Sequence, residues 1–111
     1  MAKLGQLVLD GGRWGDESLV SSEWIAASTR AKSAGEKPGE DFGYLWWLGE
    51  LPAEPRPLRY TMANGWGSQF IIVVPALDLV VVTTGGNDYN GKHMAVLPLV
   101  RELVRSVSAR L

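Results

Sequence analysis

The sequence predicts an α+β fold: an antiparallel β-sheet of about four strands, with two short N-terminal helices and a C-terminal helix packed on it. Two observations carry this. Apolar residues recur at helical spacing near both ends of the chain, and between them stand continuous runs of β-branched and aromatic residues. The 111 residues make a single domain, 1–111. A chain of this size buries roughly two-thirds of its unfolded surface, enough for a modest core.

Each element has a local reason. Leu4, Leu7 and Val8 fall at i, i+3 and i+4, and Gly11-Gly12 stop that first helix by supplying a left-handed C-terminal position. Residues 13–20 read as a polar loop. Ser21 or Ser22 caps a second helix, with Trp24, Ile25 and Ser28 on one side. Residues 31–41, with Gly35, Pro38 and Gly39, form an exposed loop. Then the period changes. The aromatic-rich stretch 42–48 reads as a strand, on which Trp46 and Trp47 point to opposite faces. Pro52, Pro55 and Pro57 end it, because proline cannot donate to a ladder. Strands follow at 58–64, 69–74 and 79–84. The last two are joined by Pro75-Ala76-Leu77-Asp78 and make a hairpin. Their runs 70–74 and 79–82 do not alternate with polar residues, so the sheet needs cover on both faces. Leu97, Val100, Val104, Val107 and Leu111 mark a final helix at 96–109, with Pro98 in its first turn.

Composition excludes several function classes. Apolar residues make up 46% and charged residues 21%, the balance of a folded globular chain. Eleven basic residues against twelve acidic ones give a net charge of −1, so no basic field awaits nucleic acid. There is no cysteine, hence no disulfide, thiolate metal site or Cys nucleophile. His93, the single histidine, cannot form a multi-histidine metal centre, and no metal or cofactor is expected. No run approaches the ~20 apolar residues of a membrane helix. The first residues turn polar too soon for a signal peptide, which makes the chain as it stands cytoplasmic.

Familiar catalytic arrangements are missing. No phosphate-binding Gly-rich loop and no Gly-x-Ser-x-Gly elbow occur, and no serine has lysine three residues on. Tyr89 is followed by Asn90, so the spacing Tyr-x-Asn is absent as well. His93 reads as a solvent-facing residue. Asp10, Asp78 and Asp88 read as turn residues whose carboxylates bond nearby backbone. The glycine-rich segment Asn64-Gly65-Trp66-Gly67-Ser68 stands apart. It is either a bulge or a place where a strand admits something close to its backbone.

Several segments together resemble one family. They are the stretch from Met1-Ala2-Lys3-Leu4-Gly5-Gln6-Leu7 through Gly11-Gly12-Arg13-Trp14, Leu19-Val20-Ser21-Ser22-Glu23-Trp24-Ile25, Phe42-Gly43-Tyr44-Leu45-Trp46-Trp47, and the long stretch from Asn64-Gly65-Trp66-Gly67-Ser68-Gln69 through Val74-Pro75-Ala76-Leu77-Asp78-Leu79 to Val82. In this order they resemble the C-terminal part of the β-lactamase-related serine hydrolases. That superfamily includes class C β-lactamases, D-alanyl-D-alanine carboxypeptidases, esterases and 6-aminohexanoate-dimer hydrolases. The resemblance implies a partial β-lactamase/transpeptidase-like fold, with Ser-x-x-Lys and Tyr-x-Asn lying upstream in the complete enzyme and Met1 standing as an internal methionine. It places the family's third motif, Lys-Thr-Gly or His-Thr-Gly, on Ala63-Asn64-Gly65 as substrate-binding residues. Ala63 then stands where the family has a cation, which removes the partner of a substrate carboxylate. The backbone N–H of Trp66 becomes the implied oxyanion donor, an interaction worth roughly 3 kcal/mol in such sites.

The chain is therefore expected to be inactive alone, with a small-molecule ester or amide as substrate only in the complete enzyme. The other readings are a non-catalytic ligand- or protein-binding module of the same fold and a remnant with no selected function. A homo-oligomer is expected, because the family's helical domain is absent and the runs 70–74 and 79–82 should keep uncovered apolar surface. The sheet or segment 42–47 would form the interface.

Overall fold

A computed structural model describes residues 1–35, 40–86 and 95–110. The element order is α1 (Ala2–Leu9), β1 (Arg13–Trp14), β2 (Glu17–Ser18), α2 (Ser22–Ser28), β3 (Ser33–Ala34), β4 (Asp41–Phe42), β5 (Trp47–Leu51), β6 (Leu58–Gly65), β7 (Gln69–Val74), a 3-10 turn (Pro75–Leu77), β8 (Leu79–Thr83) and α3 (Leu97–Ser108). The class is α+β, and every sheet pairing is antiparallel. Strands β3 to β8 form one sheet in sequence order, and β1 and β2 form a separate hairpin.

The run Phe70 to Val74 is the centre of the molecule. All five side chains are 5% exposed or less. Alternation sends Phe70, Ile72 and Val74 to one face, where they meet Leu51, Met62, Val81 and the buried Val100 and Val104 of α3. Ile71 and Val73 point the other way, towards α1. There Gly5 lets the helix come down on the sheet: a Cβ at this position would stand 2.5 Å from Val80 Cγ1 and 2.9 Å from Ile71 Cγ2. Both faces are thus covered from within the chain. The expectation that run 70–74 keeps an uncovered apolar surface fails, because α1 folds back over the sheet.

Other boundaries follow local chemistry. Gly11 (φ 63°) and Gly12 (φ 91°) end α1, with the Gly12 N–H donating to the Leu7 carbonyl at 2.8 Å. The expected polar loop 13–20 contains the short β1–β2 hairpin, closed at Gly15 (φ 59°). Ser21 is the cap of α2, its Oγ accepting from the Trp24 N–H at 3.2 Å. Ser21→Ala should therefore cost about 1 kcal/mol. Ser22→Ala, which removes only an exposed 3.3 Å bond to Glu23, should cost less than half of that. Urea midpoints of the two variants check it, and equal midpoints would refute the assignment. Ile25 and Ser28 face inward as expected, whereas Trp24 is 54% exposed. In α3, Pro98 sits in the first turn as read; Leu111 lies outside the described residues.

Among the described residues the sheet has six strands rather than about four. Ser33–Ala34 pairs with Asp41–Phe42 inside the expected loop 31–41, and the expected strand 42–48 is divided. Residues 43–46 form a tight turn, with the Gly43 N–H donating to the Trp46 carbonyl at 2.8 Å. Gly43 is buried, and a Cβ on it would overlap the Ser28 carbonyl oxygen. Leu45 takes a left-handed φ of 65°. The strand resumes only at Trp47, so Trp46 and Trp47 do not alternate across one strand. Trp47 packs edge-to-face on Phe42, with centroids 4.9 Å apart. Among the described residues no helix is long and apolar enough to cross a membrane.

Candidate functional site

The expected site residues are contiguous at the upper end of β6. This strand pairs with β5 as far as Met62, opposite Trp47, and with β7 as far as Gly65, opposite Gln69. Ala63, Asn64 and Gly65 therefore rise about 10 Å beyond the β5 ladder, at ~3.4 Å per residue. Loop 66–68 closes the hairpin, with Gly67 at φ 80° and Ser68 at φ 69°. Two bonds anchor the loop towards β8: Thr83 Oγ1 donates to the Ser68 carbonyl at 2.8 Å, and Gln69 Nε2 donates to the Gly85 carbonyl at 2.5 Å. At the tip, the Trp66 residue is 65% exposed, while Ser68 is 2% exposed. Ser68 is thus a buried structural residue, not an accessible nucleophile.

A second feature stands at the same end of the sheet. The turn 43–46 is pinned by the Tyr44 N–H, which donates to the Ser28 carbonyl at 2.9 Å, and by stacking of Tyr44 on Trp24 at 5.5 Å and 21°. Lys32 Nζ lies 4.9 Å from the Tyr44 ring centroid. Leu45 projects from this clamp at 85% exposure, in a left-handed backbone that costs a leucine on the order of 1 kcal/mol. Sequence reasoning missed the turn. Gly43 was its one visible signal, and β-prone neighbours outweighed it.

The charged groups gather elsewhere. A groove of about 640 Å³ lies between the end of α2 and the outer face of β4 to β6, bordered by Arg30, Asp41, Glu50 and Arg59. Arg59 Nε and Glu50 Oε1 are 3.4 Å apart, both well solvated, which makes the pair worth little. The Tyr60 hydroxyl is held above the ordinary tyrosine range, first by burial and then by Glu40, with Arg101 opposing. It stays protonated at neutral pH and offers no base. Among the described residues no group of three or more His, Cys, Asp or Glu side chains is placed to hold a metal. Asp10 and Asp78 sit at turns as expected, ending α1 and the 3-10 turn. His93, Asp88, Tyr89 and Asn90 lie outside the described residues.

No protein-family model matches the chain, and no curated protein matches it either.

Proposed function

We propose that the chain is the C-terminal segment of a β-lactamase-like serine hydrolase, inactive alone and completed by an upstream segment that carries the nucleophile. In the complete enzyme the reaction is acyl transfer on a small-molecule ester or amide. An upstream Ser attacks, Lys and Tyr move protons, and the Trp66 N–H stabilises the oxyanion. Ala63, Asn64 and Gly65 border the substrate. The observation that carries this reading is the upper end of β6, which extends past β5 into an anchored hairpin loop with Trp66 at its exposed tip. A sheet covered by helices on both faces is in keeping with a partial β-lactamase/transpeptidase-like fold. Ala63 offers no charge to a substrate carboxylate, which favours neutral esters and amides.

The chain alone should show no serine acylated by a fluorophosphonate probe in an intact-mass spectrum, because no serine has lysine three residues on. The coding sequence immediately upstream should supply Ser-x-x-Lys and Tyr-x-Asn, and the extended chain should be labelled. In that extended chain Trp66→Pro, which removes the N–H, should abolish labelling, and Trp66→Ala, which keeps it, should not. Labelling of the 111-residue chain, or an upstream sequence without those motifs, would refute the reading.

A second reading, a non-catalytic binding module, is favoured by the rigid, exposed turn 43–46, whose apolar tip has no role in the acyl-transfer scheme.

A further inference from the structure

The sheet face that α1 covers over β7 and β8 is left open over β5 and β6, and the groove of about 640 Å³ runs there against the end of α2. Its volume lies within the roughly 300–1,000 Å³ of small-ligand sites. The strand register lays out its floor. Asp41, Leu48 and Thr61 stand opposite one another on β4, β5 and β6, and Glu50 and Arg59 stand opposite each other two residues further along. Residues that face each other across a ladder, or lie two apart on a strand, share one face of a sheet, so all five belong to one surface. On it Asp41 and Arg59 are two strand spacings and two residues apart, about 12 Å. Arg30 adds a second base from the α2 wall.

The charges select the ligand. Arg30 and Arg59 border the groove together with Asp41 and Glu50, so it carries two charges of each sign. An anion would meet the two carboxylates and a cation the two guanidiniums; a ligand charged oppositely at its two ends is served by both. Asp41 makes no ion pair among the described residues. Arg59 turns its Nε towards Glu50 at 3.4 Å, which leaves its two terminal nitrogens for a bidentate carboxylate. An extended tripeptide spans about 10 Å, and the side chains of Asp41 and Arg59 reach over the rest. Between them lie Leu48 and Thr61, one apolar and one hydroxyl contact for the middle of such a chain. We propose that this groove binds a short zwitterionic peptide of about three residues, its ammonium on Asp41 and its carboxylate on Arg59, with Arg30 as a second donor from the wall. The proposal is independent of the hydrolase reading, whose residues stand at the upper end of β6.

Titration of the isotope-labelled full chain with triglycine, followed by NMR, tests it. The amides of Asp41, Leu48, Arg59 and Thr61 should shift and saturate together. Asp41→Asn and Arg59→Gln, both at exposed positions where the fold tolerates change, should each weaken binding roughly fivefold or more. Arg56→Gln, exposed and outside the groove, should leave it unchanged. Varying the ligand needs no variant of the protein. N-acetyl-triglycine, triglycine amide and free glycine should each bind roughly tenfold more weakly, the first two for a lost charge and the third because it cannot span the floor. A wild-type chain whose shifts do not saturate by about 100 mM triglycine overturns the proposal. So does equal binding of a blocked peptide or of glycine, or binding indifferent to Asp41→Asn and Arg59→Gln.

Discussion

Phe70→Ala is expected to remove about 3–5 kcal/mol of stability, the most damaging single truncation in the chain. Phe70 is fully buried and belongs to the cluster that joins β5, β6, β7 and β8 to α3. Alanine loses the transfer free energy of the ring and leaves a cavity. That cavity is bounded by strands on either side and a helix above, elements that cannot close on it without breaking the ladder. A domain of this size has a total stability of about 5–15 kcal/mol, so the variant stands close to unfolded at 25 °C. Urea denaturation followed by tryptophan fluorescence measures the loss. A midpoint within error of wild type would mean that Phe70 is not the hub of the core.

Gly5→Leu should come second, at about 2–3 kcal/mol, by a different route. The position is helical, and leucine is the better helix former by close to 1 kcal/mol. Local propensity thus predicts stabilisation. Packing predicts the opposite, because even a Cβ lies 2.5 Å from Val80 Cγ1, and three further carbons have nowhere to go. Packing wins on magnitude. Helix α1 must lift from Ile71 and Val80, exposing them, so amide exchange should quicken in β8 and a dye for apolar surface should bind. Gln6→Leu, one residue on and exposed, is the control and should stay within about 0.5 kcal/mol of wild type. Equal stabilities for the Gly5 and Gln6 variants would show that α1 is not seated through Gly5.

What the sequence made legible was set by patterns that need no partner to be read. The runs 70–74 and 79–82 are apolar on both faces, and that alone calls for a sheet covered on both sides, with β8 at its edge. Helix α3 is legible through Val100 and Val104, spaced one turn apart and both buried. The turn at 43–46 was not legible because its cause is tertiary. Gly43 is needed since the Ser28 carbonyl occupies the space of a Cβ, and Leu45 goes left-handed with no residue-level signal for it. Strands β3 and β4, two residues each, exist through pairing and not through propensity. At the candidate site, Gly67 announced the loop that follows β6, whereas the left-handed Ser68 gave no such warning. The chemistry of that loop is less legible than its shape, because no nucleophile and base stand at a recognised catalytic spacing in these 111 residues.

The in-order arrangement of strands β3 to β8 has a consequence for how the chain comes off a ribosome. Each strand pairs with the one made just before it, so the meander can grow hairpin by hairpin as it emerges. Helix α1 cannot join in. Its seat includes Ile71 and Val80, the latter 75 residues downstream of Gly5, so at roughly 5–20 residues per second it waits about 4–15 s for its landing surface. Eight residues are too few to hold a helix in water unaided. Although made before the sheet, α1 is therefore among the last elements to become ordered, and Leu7, Val8 and Leu9 remain open to chaperones until β8 has been laid down.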